Sequence, residues 1–253
     1  MKTAIVISGQ MRTFARTYAT LKWHVFRKLE NPVFYVSCAD DANAASAELL
    51  RKDYPEVHIE KVIPPALAEP PLSLADAAPY AITPTRTPGI GPLQGILRQH
   101  WHMSRAWKFV TETGLSDEVQ TVVRCRADLH FHKFEMIHPL LKTDCHAPWW
   151  GTFGSGLNDR FAVLGVKAAK AYHETYDVLP QLLEAGCPFH PETLVGAALE
   201  FANCHIERDL CAEFAFRREN GDFEHMVVLP SEMARYTATI CMRPVATYTT
   251  VTK

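Results

Sequence analysis

The sequence lacks several features that would place a protein in a well-marked class. No apolar run approaches the roughly 20 residues that a membrane-spanning helix needs, and the apolar stretch 4–7 is too short for a secretory signal. The seven cysteines include no C-x-x-C pair and no zinc-site spacing. These absences predict a cytoplasmic protein whose thiols are reduced and mostly buried.

An excess of charge of one sign is also missing. The 26 basic and 28 acidic residues leave a formal net charge of -2, and the pI is near 6.6. Proteins that bind nucleic acid non-specifically usually carry a strong basic excess, so the composition argues against that class but leaves room for a local basic groove. A length of 253 residues with 47% hydrophobic content predicts one globular domain over 1–253.

The glycine-rich signatures of dinucleotide-binding and phosphate-binding loops are absent, which argues against a dehydrogenase or an ATPase. What the chain has instead is a β-branched run, 2–7, followed at once by Ser8, Gly9 and Gln10, with Arg12 close behind. Backbone N–H groups at a strand-to-helix turn favour anions, and glycine lets the backbone approach them. This turn predicts an anion contact, with "first strand and turn" as the plain alternative.

The order of hydrophobic patterns indicates an α/β fold. A β-α-β-α-β order over 2–62, with helices over 13–29 and 40–51, predicts a mostly parallel sheet flanked by helices. A proline-rich excursion at 64–92 is either a lid or a surface loop. The further predicted elements are a helix over 93–113, strands at 121–131, 160–165 and 204–207, a helix over 167–183 with an interruption near Pro180, a helix over 191–203, a helix or loop over 209–221, and a strand at 226–229.

The stretch 121–131 carries the densest polar pattern. It is predicted to be one strand, so alternation of faces puts Arg124, Arg126, Asp128, His130 and His132 on one side. Ligands of open α/β sheets bind beyond the carboxyl ends of the strands, and two arginines there suit a diphosphate. An ion pair between an arginine and Asp128 is the structural alternative.

Asp128 and His130 form an Asp-x-His pair that is able to bind one divalent ion. Imidazole makes Mn²⁺ more plausible than Mg²⁺. Such an ion would bridge the phosphates and stabilise a leaving diphosphate. The alternative is that His130 is an ordinary surface residue.

Two further carboxylates are candidates for the chemistry. Asp159 follows Asn158 at the entrance to a strand and is a candidate general base for an acceptor hydroxyl. Glu192 stands beside Pro191 at the start of a helix, where it would face the donor or acceptor sugar of a transfer reaction. Turn formation for Asp159 and the helix dipole for Glu192 are the structural alternatives.

Three segments together resemble a family of GT-A-type glycosyltransferases of bacteria, their viruses and algae. The start A-I-V-I-S-G-Q-M-R-T-F at 4–14 is similar to the family's first strand and nucleotide turn, V-R-C-R-A-D-L at 123–129 resembles its R-x-R-x-D strand, and N-D-R-F-A at 158–162, with the acid-bearing helix from Pro191, resembles its later segments. The resemblance implies a Rossmann-like GT-A sheet and a nucleoside diphosphate sugar as donor, with Mn²⁺ or Mg²⁺ as cofactor. It implies that donor binding involves Ser8, Gly9, Gln10, Arg12, Arg124, Arg126, Asp128 and Asn158.

The resemblance implies sugar transfer to an acceptor hydroxyl of a glycan or a lipid-linked saccharide. An alternative acceptor is a hydroxymethylated pyrimidine base in viral DNA. Outside that class, the chain could be a nucleotide-binding module without turnover, or a metal-dependent hydrolase that uses Asp128 and His130. The presence of histidine where related enzymes carry a second aspartate puts the metal dependence in question.

Overall fold

The computed structural model describes residues 2–67, 92–115, 117–139, 141–150, 152, 156–218, 220 and 223–225. Most of the predicted excursion at 64–92 and the whole predicted strand at 226–229 lie outside the described residues. Within the described part of the chain, no helix combines the length and the apolar character that crossing a membrane requires.

Ten strands and five α-helices are present in the described ranges. The strands are β1 (Lys2–Gly9), β2 (Pro32–Ala39), β3 (Val57–Val62), β4 (Val119–Cys125), β5 (Leu129–Phe134), β6 (Asp144–His146), β7 (Phe161–Gly165), β8 (His205–Glu207), β9 (Ala212–Arg217) and β10 (Phe223–His225). The helices are α1 (Phe14–His24), α2 (Pro92–Thr113), α3 (Val166–His173), α4 (Leu179–Glu184) and α5 (Pro191–Phe201), with 3₁₀ turns at Phe26–Lys28, Ala44–Lys52 and Glu174–Tyr176.

Seven strands form one sheet in the order β3-β2-β1-β4-β7-β6-β8. Every neighbouring pair is parallel except those that involve β7, which runs against both β4 and β6. The predicted α/β class with a mostly parallel sheet flanked by helices is confirmed. Because the chain steps from β1 outward to β3 and then returns to place β4 on the other side of β1, the strand order reverses between β1 and β4.

The two faces of this sheet bury different partners. On one face, strand residues such as Ile5 and Val123 pack with α1 and with the aromatic side chains of β5 and β9. On the other face, Val6 and Val122 pack with α2, α3 and α5. The alternation of Val122 and Val123 between the two cores is the period of two that an extended chain imposes.

The predicted single strand at 121–131 is wrong. β4 ends at Cys125, residues 126–128 turn, and β5 belongs to a second sheet of order β10-β9-β5. The predicted helix or loop over 209–221 is likewise wrong, since β9 occupies Ala212–Arg217 and pairs with β5. A pairing between strands some 80 residues apart has no local signature at either strand.

Smaller corrections concern element type. The helix predicted over 13–29 ends at His24 and continues as a 3₁₀ turn, and the helix predicted over 40–51 is a 3₁₀ helix over Ala44–Lys52. The interruption predicted near Pro180 within the helix over 167–183 falls earlier, because α3 ends at His173, a 3₁₀ turn follows, and Pro180 lies in the first turn of α4. The short strand β6 was not predicted. Four cysteines, Cys38, Cys125, Cys145 and Cys187, are buried and unpaired, as the cysteine pattern predicts.

Candidate functional site

A cavity of about 630 Å³ opens at the carboxyl ends of β1, β2 and β4. It therefore lies where the strand order reverses, the position at which open α/β sheets bind their ligands. We call it the arginine cavity and define it by its lining: Ser8, Gly9, Gln10, Arg12, Thr13, Ala39, Asp41, Pro64, Gly95, Arg98, Gln99, His102, Arg124, Arg126, Ala127, Asp128, Arg217, Arg218 and Asn220.

The turn after β1 forms one wall of the arginine cavity. Ser8, Gly9, Gln10 and Arg12 all line it, so the structure brings together the four residues predicted from this segment. Gly9 has φ +98°, a backbone conformation that L side chains rarely adopt, which explains the glycine at this position. The turn thus brings main chain and a guanidinium to the same wall.

Arg124 is the most unusual residue of the cavity. It lies on the same face of β4 as Val122, is only 1% exposed and is among the largest fully buried side chains. The one hydrogen bond shown for it runs from Nη1 to the Cys125 carbonyl oxygen over 3.3 Å, while its Nε is buried without a hydrogen-bond acceptor. Burial lowers the pKa of Arg124 below its ordinary value. A buried cation with an unused N–H at a cavity wall is suited to an anionic ligand.

Arg126 and Asp128 form a bidentate ion pair. Arg126 Nε donates to Asp128 Oδ1 over 2.9 Å, and Nη2 donates to Oδ2 over 2.7 Å. Burial raises the pKa of Asp128, but the adjacent guanidinium outweighs burial, so the pKa lies below the ordinary 3.8. The ion pair predicted as the structural alternative is therefore present, and it involves Arg126 rather than Arg124.

Helix α2 contributes a wall that was missed at the sequence level. Gly95, Arg98, Gln99 and His102 all line the arginine cavity, and their spacing of i, i+3, i+4 and i+7 places them on one face of the helix. The sequence analysis predicts this helix but assigns no cavity residue to it. The polar stripe of arginine, glutamine and histidine at helical spacing is the feature of the sequence that indicates this wall.

A second contribution that the sequence did not predict comes from the end of β9. Arg217, Arg218 and Asn220 line the cavity as well. The described lining thus contains six arginines and two aspartates, which is a formal excess of four positive charges with histidine neutral. A cleft dominated by one sign of charge concentrates ligands of the opposite sign.

The predicted metal pair is separated by the break between β4 and β5. Asp128 lines the arginine cavity, whereas His130 lies on β5 opposite Ala215 and is not on the cavity wall. Both carboxylate oxygens of Asp128 already accept from Arg126. Among the residues that the structure describes, no three histidine, cysteine, aspartate or glutamate side chains are grouped as for a metal. The residues present do not fit a divalent ion held by Asp128 and His130.

Asn158, Asp159, Arg160 and Glu192 form a second polar group, which we call the Arg160 cluster. Asn158 is fully buried; its Oδ1 accepts from the backbone N–H groups of Arg160 and Phe161 at 3.0 and 3.2 Å, and its Nδ2 donates to the Trp150 carbonyl oxygen. This Asx turn directs the chain into β7. The side chain is thus engaged with its own backbone and does not line the arginine cavity.

Both predicted catalytic carboxylates belong to the Arg160 cluster. Arg160 Nη1 lies 3.3 Å from Asp159 Oδ1, and Nη2 donates to Glu192 Oε1 over 2.7 Å. Glu192 Oε2 also lies 2.5 Å from His190 Nδ1. Asp159 and Glu192 are 1% and 4% exposed, and neither lines the arginine cavity. The structure brings the two acids together around one guanidinium, but not at the cavity wall.

Asp159 is ionised in this setting. Burial raises the pKa of Asp159, but Arg160, Arg126 and a hydrogen bond from Gln99 together lower it below the ordinary 3.8. A carboxylate with a lowered pKa is a weak proton acceptor at neutral pH. Nearby, Gly156 explains how tightly this loop is packed, because a Cβ there would lie 2.5 Å from the backbone carbon of Glu192.

Three residues connect the two polar groups. Gln99 lines the arginine cavity and donates from Nε2 to Asp159 Oδ2. His100 is 1% exposed with both ring nitrogens lacking a hydrogen-bond partner, and burial is the main reason that its pKa falls to about 4. The Phe216 ring lies 5.4 Å from the Arg126 guanidinium, 5.3 Å from that of Arg160 and 5.4 Å from that of Arg218.

The sequence matches no protein-family model, and no curated protein matches it. Among solved structures, the galactosyltransferase LgtC in complex with donor and acceptor sugar analogs, and an active-site mutant of LgtC, are each similar with a TM-score of 0.42 and 12% identity over 79% of this chain and 70% of that chain.

Proposed function

We propose that the arginine cavity binds the diphosphate of a nucleoside diphosphate sugar and that the protein is a GT-A-type glycosyltransferase. The observation that carries the proposal is Arg124, a buried guanidinium whose Nε has no acceptor and which lines a cavity at the reversal point of the sheet. Nucleotide phosphates bind at this point in doubly wound folds. The resemblance of 4–14, 123–129 and 158–162 to glycosyltransferase segments supports the same function.

In such a transfer the bond between the anomeric carbon and the β-phosphate oxygen breaks, and a bond from that carbon to the acceptor oxygen forms. The leaving diphosphate gains negative charge as its bond breaks. Arginine donors that already surround the phosphates stabilise that charge without reorganisation. Arg124 and Arg126, which both line the cavity, are the residues that we assign to this role.

The acceptor hydroxyl must lose a proton during the transfer. The sequence predicts that Asp159 or Glu192 is the base that takes this proton. Both are held by Arg160, and Gln99 stands between Asp159 and the cavity. Neither carboxylate lines the arginine cavity, so the acceptor hydroxyl or the carboxylate has to move for the proton to be transferred.

Calorimetric titration with UDP, GDP, CDP and ADP tests the binding step. At least one nucleotide is expected to bind and to raise the melting temperature, since a ligand at 100 times its Kd adds about 2.7 kcal/mol of stability. The control for a substitution inside the cavity, such as Arg124→Met, is Arg27→Gln, because Arg27 is exposed, stacks on Trp23 and lies outside the arginine cavity. It should bind like the wild type. Binding of none of the four nucleotides would contradict the proposal.

Transfer itself requires a separate assay. The protein is incubated with nucleotide sugars carrying the base that binds, together with a glycan, a lipid-linked saccharide, or DNA containing hydroxymethylcytosine beside plain DNA. Release of nucleoside diphosphate that depends on one acceptor identifies the substrate class. Nucleotide binding without release in any mixture would favour a binding module without turnover.

A further inference from the structure

The role of Asp128 follows from how its two oxygens are used. Each accepts one hydrogen bond from the same guanidinium, at 2.9 and 2.7 Å from Arg126 Nε and Nη2. A cation bound directly to either oxygen would have to share it with an N–H donor or displace that donor. The partner predicted for a metal, His130, is not on the cavity wall.

The same geometry leaves Arg126 able to bind a ligand. A guanidinium has five N–H donors in a fixed plane, and Asp128 uses two of them. The other three are set in direction by the bidentate pair, because the planar fork cannot rotate without breaking one of its two bonds. The Phe216 ring, 5.4 Å from the guanidinium carbon, limits its position further.

Arg124 supplies a second cation next to the first. It comes two residues before Arg126, lines the same cavity and has a buried Nε without an acceptor. Tyr172, one of its neighbours, directs its own hydroxyl to the Asn158 carbonyl oxygen over 2.7 Å. Two guanidinium side chains therefore line one cavity at the point where the strand order reverses.

We infer that Asp128 is a positioning residue for Arg126 and that Arg124 and Arg126 neutralise the bound diphosphate without a divalent ion. The inference rests on the proposed function, because it concerns how the same cavity binds the same ligand. It replaces the predicted Mn²⁺ or Mg²⁺ by two arginines, which carry a fixed charge and a fixed donor geometry.

The test measures the affinity of the nucleotide that binds the wild type, once in EDTA and once with Mn²⁺ or Mg²⁺ present. The expected Kd in EDTA is within about twofold of the Kd measured with the metal. Tenfold or tighter binding with metal would overturn the metal-free inference and leave the proposed function standing. No binding in either condition would instead overturn the proposed function.

The variant Asp128→Asn separates positioning from metal ligation. An amide can accept from Arg126 with one oxygen only, so the guanidinium loses its fixed direction. The expected result is a roughly tenfold weaker affinity that is equal in EDTA and in Mn²⁺, with Asp128→Glu recovering part of it. A variant whose affinity falls only in the presence of Mn²⁺ would show that Asp128 is a metal ligand.

A direct measurement of metal binding completes the test. Manganese is titrated into the wild-type protein without nucleotide, and the free Mn²⁺ signal is followed by electron paramagnetic resonance. The signal should match that of buffer alone at millimolar protein and metal. A stoichiometric loss of signal that Asp128→Asn abolishes would overturn the inference.

Discussion

The arginine cavity and the Arg160 cluster both bury charged side chains, and Gln99 connects them because it lines the cavity and donates a hydrogen bond to Asp159. The two regions nevertheless use their hydrogen bonds differently. In the Arg160 cluster, Asp159 and Glu192 share one guanidinium, and Asn158 is bonded to its own backbone. In the cavity, the hydrogen bond of Arg124 goes to a backbone carbonyl oxygen and its buried Nε has no acceptor. A buried cation that is paired with carboxylates holds the chain's geometry, whereas a buried cation that lines a cavity without such a pair is suited to an anionic ligand.

The largest effect is expected from breaking the Arg160 cluster. Arg160→Met would leave Asp159 and Glu192, 1% and 4% exposed, without their cation. Removing one partner of a buried ion pair costs about 3–5 kcal/mol, so the free energy of unfolding measured in urea should fall by that amount.

The control for Arg160→Met is Lys133→Met, which breaks the exposed ion pair between Lys133 and Glu135. An exposed pair contributes at most about 1 kcal/mol. If the two variants lost equal stability, the Arg160 cluster would not be held by its ion pairs.

Arg124→Met should give the opposite result, a loss of binding without a loss of stability. Methionine keeps apolar packing and removes a buried cation whose Nε has no acceptor. Replacing such a charge by an apolar side chain is often neutral or stabilising. The lost charge-assisted hydrogen bonds are worth about 1.5–3 kcal/mol, or roughly 10- to 150-fold in nucleotide Kd.

Calorimetry and urea unfolding on the same Arg124→Met sample give both quantities. The comparison between the two regions fails if Arg124→Met unfolds more easily than the wild type while its nucleotide affinity is unchanged. In that case Arg124 would be a structural residue like Arg160.

How far these roles were visible in the sequence depends on the range of the interactions involved. Arg124 and Arg126 both line the arginine cavity, as the R-x-R spacing predicts, although Arg126 lies one residue beyond the end of β4 and strand alternation therefore does not place it there. The end of β4 at Cys125 was not predictable locally, since 129–131 is as apolar and β-like as 121–123. The break depends on β9, which pairs with β5 from more than 80 residues away.

The same reasoning explains the carboxylates. A motif such as N-D-R-F-A shows which residue types are close in the chain, but not whether Arg160 turns back onto Asp159 and Glu192. The wall formed by α2 was predictable in principle, since Gly95, Arg98 and Gln99 follow helical spacing. A polar stripe on a helix is ordinarily a solvated face, so only the tertiary structure distinguishes the two.

A smaller effect is expected at low pH, from the histidine that borders both regions. His100 has a pKa of about 4 in the folded protein, lowered mainly by burial, against about 6.5 in the unfolded chain. Between pH 6.5 and 4 the unfolded chain binds more protons, so the free energy of unfolding falls as the pH drops through this window. His100 contributes about 1.4 kcal/mol per pH unit there.

Urea unfolding at pH 7, 6 and 5 measures that slope. His100→Leu removes the titrating group and should reduce the slope by the contribution of one proton, while the other buried histidines keep theirs. Identical slopes in the variant and the wild type would show that His100 is protonated equally in the folded and unfolded states.

The smallest effects concern two glycines on the cavity wall, and they should have opposite signs. A Cβ at Gly9 or at Gly95 would meet no heavy atom within 4 Å. Gly9 has φ +98°, so Gly9→Ala should destabilise by roughly 1 kcal/mol through backbone strain. Gly95 lies in α2, where Gly95→Ala should stabilise by about 1 kcal/mol. Thermal unfolding of both variants decides the point, and a stabilising Gly9→Ala would contradict it.

The Phe216 ring, which faces Arg126 of the cavity and Arg160 of the cluster, makes the two regions thermodynamically dependent on each other. Residues that share a contacting partner usually couple energetically. The effects on stability of substitutions at Arg126 and Arg160 are therefore expected to be non-additive, and a change at the cavity wall is expected to be felt in the protein interior.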